Sequence, residues 1–280
     1  MESHTTQILS IATIIVLIGI IFSLVLFPQV ICEGKNGEEA SDTRDTLYQV
    51  STINALLQSV YDGIVPIGEV RKHGDTAIGT TDGLDGELIG VDGAYYVIRT
   101  DGVAYPLADT ATTPFVSATF FDSDITIPAD TIANISRFED QLEAGLPSAN
   151  VVYAIRIDGT FDYVETRSVP KQSRPYPKLA EAVKEQTEFE FHNTTGTIVG
   201  FWSPEFVSGL NVPGGYHIHF ITDDRRAGGH VLDFSMTGGE IEVDITPPDL
   251  YIVLPPTEGD FYQVNLTEDL SSALASVEKN

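Results

Sequence analysis

The chain has 280 residues, enough for one large domain or two small ones with a real core, and sets 15 Lys and Arg against 41 Asp and Glu, a formal net charge of −26. Without a basic stripe to neutralise phosphates, no nucleic-acid partner is expected, and the acidity reads as solubility, suited to a salty milieu that screens self-repulsion. A lone cysteine, Cys32, excludes an internal disulfide framework and any cysteine-built metal site.

Residues 1–7 form a leader, MESHTTQ, and residues 8–27 then run ILSIATIIVLIGIIFSLVLF without a charge. An almost uninterrupted apolar run of twenty residues matches a helix that spans the hydrocarbon core. The leader lacks Lys and Arg, and no clean small-x-small cleavage site follows, which favours an uncleaved single-pass membrane anchor over a signal peptide. Read as a cleaved segment, the same run gives an exported chain. The flanks are acidic on both sides, so orientation stays open. Sequons at Asn134, Asn193 and Asn265 are consistent with export. Residues 28–45 read as a linker, because Glu33 to Asp45 is polar and charged and carries two glycines.

Beyond the linker, Leu47, Val50, Ile53, Leu57 and Val60 mark one face of an expected helix that Asp62-Gly63 ends. Short apolar segments follow, with Asp-Gly pairs at 82, 85, 92 and 101 as turns between strands. Pro114 to Ile127 continues as strand, Asp140 to Leu146 as a short helix, and Val151 to Ile157 as strand, with Tyr163 to Val169 after a further Asp-Gly turn. Three prolines between Pro170 and Pro177 suit neither helix nor strand, so a domain boundary is expected there. Lys178 to Glu188 reads as helix, Glu188 to His192 and Thr197 to Ser203 as strands, and Ile241 to Ile245 and Tyr251 to Leu254 likewise. Thr267 is expected to cap a last helix carrying Leu270, Leu274 and Glu278 on one stripe. The pattern predicts an α+β chain. Two strand-rich, mixed-sheet subdomains with few helices, 46–170 and 171–280, would leave an active site in the cleft between them.

One stretch carries chemistry. Gly215-Tyr216-His217-Ile218-His219-Phe220 and Gly229-His230-Val231-Leu232-Asp233-Phe234 read as two antiparallel strands joined by a polar loop. Alternation puts His217 and His219 on one face, and His230 opens the returning strand opposite them. Three imidazoles from rigid strands form the protein half of a catalytic zinc site with open coordination positions. An aromatic-rich hairpin with half-buried histidines accounts for the same residues. On the hairpin alone both readings stand.

Leu84-Asp85-Gly86-Glu87-Leu88, Tyr153-Ala154-Ile155-Arg156-Ile157-Asp158-Gly159, Thr166-Arg167-Ser168-Val169-Pro170, Gly200-Phe201-Trp202 and the two histidine blocks, in this order, closely resemble the α-acetolactate decarboxylases from about Leu47 to the C-terminus. The N-terminal apolar segment departs from that pattern. The resemblance implies a zinc enzyme, a homodimer, that converts 2-acetolactate to acetoin and carbon dioxide. It maps the zinc ligands onto His217, His219 and His230, and catalytic roles onto Glu87, Arg167 and a C-terminal glutamate assigned to Glu278.

Local patterns bear on each assignment. Glu87 shares a strand face with Ile89 and Val91, so its carboxylate is expected in apolar surroundings where desolvation raises its pKa; taken alone it reads as a solvated edge-strand residue. Arg167 precedes the proline-rich crossover, a place suited to holding a carboxylate; its rival is Arg156, and its plain reading a surface ion pair. Glu278 continues the Leu270–Leu274 stripe, whereas Glu268 faces solvent. Parity turns Asp233 away from His230 unless a bulge intervenes. His4, His73 and His192 lack ligand spacing, and Asp223 to Arg226 read as a solvated loop. A catalytically silent, membrane-anchored binding module and a different zinc enzyme such as a hydrolase are the alternatives, the latter without a His-Glu-x-x-His helix or nucleophile elbow.

Overall fold

Asp-Gly turns organise the first of two seven-stranded sheets in the computed structural model, which describes residues 46–129, 131–210, 215–246 and 249–278. In chain order the strands are β1 (Thr46–Val50), β2 (Val65–Pro66), β3 (Thr76–Thr80), β4 (Glu87–Val91), β5 (Ala94–Ile98), β6 (Ala104–Pro106), β7 (Thr112–Thr113) and β8 (Phe115–Thr119). They continue as β9 (Ile125–Pro128), β10 (Thr131–Ile132), β11 (Tyr153–Ser168), β12 (Thr187–Ser203), β13 (Gly215–Thr222), β14 (Gly228–Thr237), β15 (Glu240–Ile245) and β16 (Asp249–Val253). The helices are short: α1 (Ile53–Leu57), α2 (Ile67–Val70), α3 (Ile135–Gly145), α4 (Leu179–Ala182), α5 (Asp260–Gln263) and α6 (Ser271–Glu278).

The short strands β2 and β7 pair in a small sheet of their own. One seven-stranded sheet runs β16-β1-β8-β3-β4-β5-β6, with only the β1–β16 pair parallel. Its β4–β5 hairpin closes on Asp92 (φ 53°) and Gly93 (φ 75°), the left-handed pair that matches strand twist. The second sheet runs β10-β14-β13-β12-β11-β15-β9. There β11 pairs β12 along one edge and shares the other between β15 (Tyr153 to Asp158) and β14 (Phe161 to Arg167), so β11 to β14 close into a ring. Phe161, Phe220 and Phe234 fill it, with Phe161 edge-on to the other two at 5.4 and 5.9 Å. Between the sheets, Ile78, Ile89 and Val91 of the first pack against Ala154, Val199, Phe201 and Ile221 of the second. A separate cluster joins α1, α4 and α6 through Leu56, Leu179, Leu274 and Val277 to Phe115 and Val169. The described residues belong to one compact unit, and each seven-stranded sheet takes strands from both sides of residues 170–177. The fold is the strand-rich, mixed-sheet arrangement with few helices that the alternation predicts.

Several local expectations change. The helix expected from Leu47 is half strand: β1 pairs on both edges, Ser51 takes a left-handed φ of 57°, and Thr52 then caps α1 by accepting from Ala55 N at 3.1 Å. Two-sided pairing overrides the helical spacing. Asp158-Gly159 does not turn, because β11 stays paired with β12 through it, and Glu188 to Ser203 is likewise one strand. Pro114 to Ile127 splits into β8 and β9, which lie in different sheets. The last helix begins at Ser271, whose N–H and hydroxyl donate to Asp269, while Thr267 turns to Asn265. The membrane-anchored location is also corrected: among the described residues no helix is long and apolar enough to cross a membrane, and the run at 8–27 lies outside them.

Close strand approach leaves Gly200 no room for a side chain. A Cβ there would stand 2.0 Å from the His217 carbonyl oxygen. Gly200→Ala is expected to cost about 1–3 kcal/mol or more, read as a lower denaturation midpoint at unchanged denaturant slope. Wild-type stability would contradict this packing.

Candidate metal centre and active-site cleft

The pairing of β13 with β14 sets the centre. His219 lies directly across from His230, and His217 shares the face of His219 two residues away. All three rings are buried, with centroids 5.0–5.3 Å apart. Their ligand nitrogens lie within 4.8 Å of one another, a group able to hold a metal ion. The pleat continues across β11, where Arg167 is the register partner of His230. Gly229 makes this junction possible, since it adopts φ 147° and a Cβ would fall 2.6 Å from the Arg167 carbonyl oxygen.

The first sheet supplies the other wall. His219 Nδ1 donates to the Leu88 carbonyl at 2.8 Å, which leaves Nε2 as the nitrogen with a free lone pair. His219 Nε2 stands 3.2 Å from His217 Nε2. Two lone pairs at that distance repel unless a proton or cation lies between them. Imidazole nitrogens sharing one metal at about 2.1 Å stand roughly 3.0–3.4 Å apart, so the donor set fits an ion. Glu87, one residue before Leu88, brings Oε2 to 3.7 Å from His219 Nε2. Its carboxylate therefore lies against an imidazole, a more polar neighbourhood than the Ile89–Val91 face implies. Phe115 stacks beside His217 at 6.4 Å.

Glu87, Arg167, His217 and His230 line one cleft, walled by apolar side chains including Ile53, Leu56, Leu84 and Leu179. Arg167 is 4% exposed. Its Nη1 donates to Gln186 Oε1 at 3.0 Å and its Nη2 to the Val277 carbonyl of α6. Among the described residues, Arg167 Nε and His217 Nδ1 are buried without a hydrogen-bond partner. Glu278 ends α6 next to Val277, but its side chain lies outside the described part.

The remaining candidates are elsewhere. Arg156 pairs with Asp92 and Asp158. Glu268 is exposed and accepts from Asn265. A bulge does shift the register near Leu232, yet Asp233 accepts from Ile135 N at the start of α3. His73 stacks on Tyr48, His192 is exposed against Tyr163, and His4 lies outside the described residues. Asp223 to Arg226 form a largely exposed loop. Sequence reasoning missed Gln186 and the carbonyls of Leu88 and Val277. Main-chain acceptors leave no trace in residue type.

The sequence profile of the alpha-acetolactate decarboxylases matches residues 47–268. The chain belongs to the alpha-acetolactate decarboxylase family. It is 51% identical to the alpha-acetolactate decarboxylase of Methanosarcina mazei over 86% of this chain and 82% of that one. To the Bacillus subtilis enzyme of the same name it is 43% identical, over 85% and 91%. The crystal structure of alpha-acetolactate decarboxylase from Bacillus subtilis superimposes with a TM-score of 0.80 at 42% identity, covering 84% of this chain and all of that one. Members of this family are carboxy-lyases, and this chain is an enzyme of that class. A silent binding module loses its support, because the cleft keeps Glu87 and Arg167 beside the histidines.

Burial, above all, holds the three imidazoles neutral. His217 is lowered to about 3 by desolvation and then by the Arg167 charge. His219 and His230 are pushed well below their ordinary value by burial, with His217 next for His219 and Arg167 next for His230. Neutral imidazole is the ligand form. Because these folded-state values lie below the unfolded value near 6.5, the unfolded chain binds more protons as pH falls. Stability is therefore complete above about pH 7 and declines from about pH 6.5 downward, by about 1.4 kcal/mol per pH unit for each imidazole that stays neutral. Denaturant titrations at pH 7.5 and 5.5 should show this loss, reduced in His217→Gln. Equal pH dependence in the two proteins would contradict the assignment.

Proposed function

We propose that this chain decarboxylates 2-acetolactate to acetoin and carbon dioxide at the three-histidine centre, with Zn2+ as its metal. What carries the reading is one cleft lined by His217, His230, a buried carboxylate and a buried guanidinium, with the His219 imidazole grouped against the other two, in a chain of this family. His217, His219 and His230 would hold the ion, which when bound supplies a Lewis acid for the substrate's ketone and hydroxyl oxygens.

The protein's own groups do the rest. Arg167 binds the substrate carboxylate through its guanidinium, whose Nε has no partner among the described residues, and so orients the bond that breaks. When the C–C bond to the carboxylate breaks, its electron pair delocalises into the adjacent ketone and carbon dioxide leaves. Glu87 then delivers a proton to the former carboxyl-bearing carbon, giving acetoin. The apolar walls, Ile53, Leu56, Leu84 and Leu179, exclude water, which strengthens both charge interactions. Glu278 is assigned to the same centre, at the end of the helix that covers Arg167. A homodimer belongs to this reading and is checked by sedimentation.

Glu87→Gln and Arg167→Lys should each keep the metal yet lower the rate of acetoin formation by about 100-fold or more. Metal analysis and an acetoin assay on the same full-length preparations check both. Wild-type turnover in either variant would remove that residue from the mechanism.

A further inference from the structure

We propose that Gln186 is a positioning residue that keeps the Arg167 charge free for an anionic group of the substrate; this rests on the assignment of Arg167 to the substrate carboxylate. Buried guanidinium groups are ordinarily matched to a carboxylate. Here both hydrogen-bonded acceptors found among the described residues are neutral: the Gln186 side-chain carbonyl on Nη1 and the Val277 main-chain carbonyl on Nη2.

The register makes this arrangement specific. Directly across from Arg167 on β12 stands Glu188, the position from which a cross-strand ion pair normally forms. No such pair exists. Instead Gln186 Nε2 donates to Glu188 Oε1 at 2.8 Å. That bond turns the amide so that its oxygen, not its nitrogen, faces Arg167. The Glu188 carboxylate is thereby engaged by an uncharged donor, and the guanidinium is oriented without being neutralised. Gln186 itself is fixed by its backbone N–H, which donates to Val183 O at 3.1 Å, and Val183 lines the cleft.

Two substitutions separate charge from packing. Gln186→Met keeps length and loses the acceptor, whereas Gln186→Glu places a carboxylate on Arg167. Both are made in the full-length, metal-loaded enzyme, with metal content and thermal midpoint measured alongside kinetics. The binding probe is 2-hydroxy-2-methylpropanoate, which keeps the substrate's hydroxyl and carboxylate but lacks its ketone. Gln186→Met should lower kcat/KM by about tenfold, and Gln186→Glu by about 100-fold or more. In the second variant the loss should fall mainly on KM and be matched by weaker probe binding. Wild-type kinetics in Gln186→Glu, or a loss in Gln186→Met at least as large, would overturn the proposal. If neither variant folds, Glu188→Gln decides: it should raise KM about threefold by freeing the amide to turn, and an unchanged KM counts against the proposal. A wild-type chain that makes no acetoin removes the functional reading, whereas an active wild type with silent variants removes this inference alone.

Discussion

The hydrogen bond from His219 Nδ1 to the Leu88 carbonyl joins the two sheets at the point where chemistry is placed. One end is a side chain of the histidine hairpin, and the other is the backbone of the strand that carries Glu87. In one contact it selects the imidazole tautomer, turns Nε2 towards its neighbours, and sets the carboxylate at 3.7 Å. A buried bond of this kind contributes only about 1 kcal/mol net to stability. Its larger consequence is positional, since a slip of one residue in β4 would turn Glu87 out of the cleft.

The rest of the fold keeps that contact dry. Apolar residues from both sheets pack between them, and the helical cluster of α1, α4 and α6 closes the other side. Burying three imidazoles and a guanidinium is unfavourable, and two of their nitrogens have no partner among the described residues. Structure stable enough to bear this comes from the ring of β11 to β14, whose Phe161, Phe220 and Phe234 pack in its interior while the same strands carry the histidines and Arg167. Such local cost is expected where groups are held ready for a ligand.

Much of the centre was legible because it is local. Histidines two apart on a strand share a face, and paired glycines before His230 mark the close approach that returns it to register. Glu87 and Arg167 were legible only through resemblance, because each alone reads as an ordinary surface charge. The partnership of β1 with β16 was not legible: some two hundred residues separate them, and nothing in Leu47 to Val50 distinguishes a buried strand from half of an amphipathic helix. Gln186 escaped for a related reason. An amide carries no charge to attract notice, and its role arises from a register that places Glu188 across from Arg167.

Turnover measured against bound metal decides whether the three histidines hold the catalytic ion. The full-length enzyme is stripped with a chelator, refilled stepwise with Zn2+, and assayed for acetoin from racemic 2-acetolactate at each step. A catalytic ion held by these histidines gives negligible turnover without metal and full recovery at one ion per chain, with the imidazole signals of His217, His219 and His230 shifting together. Undiminished acetoin formation by the stripped chain, or recovery while those signals stay unchanged, would contradict this assignment.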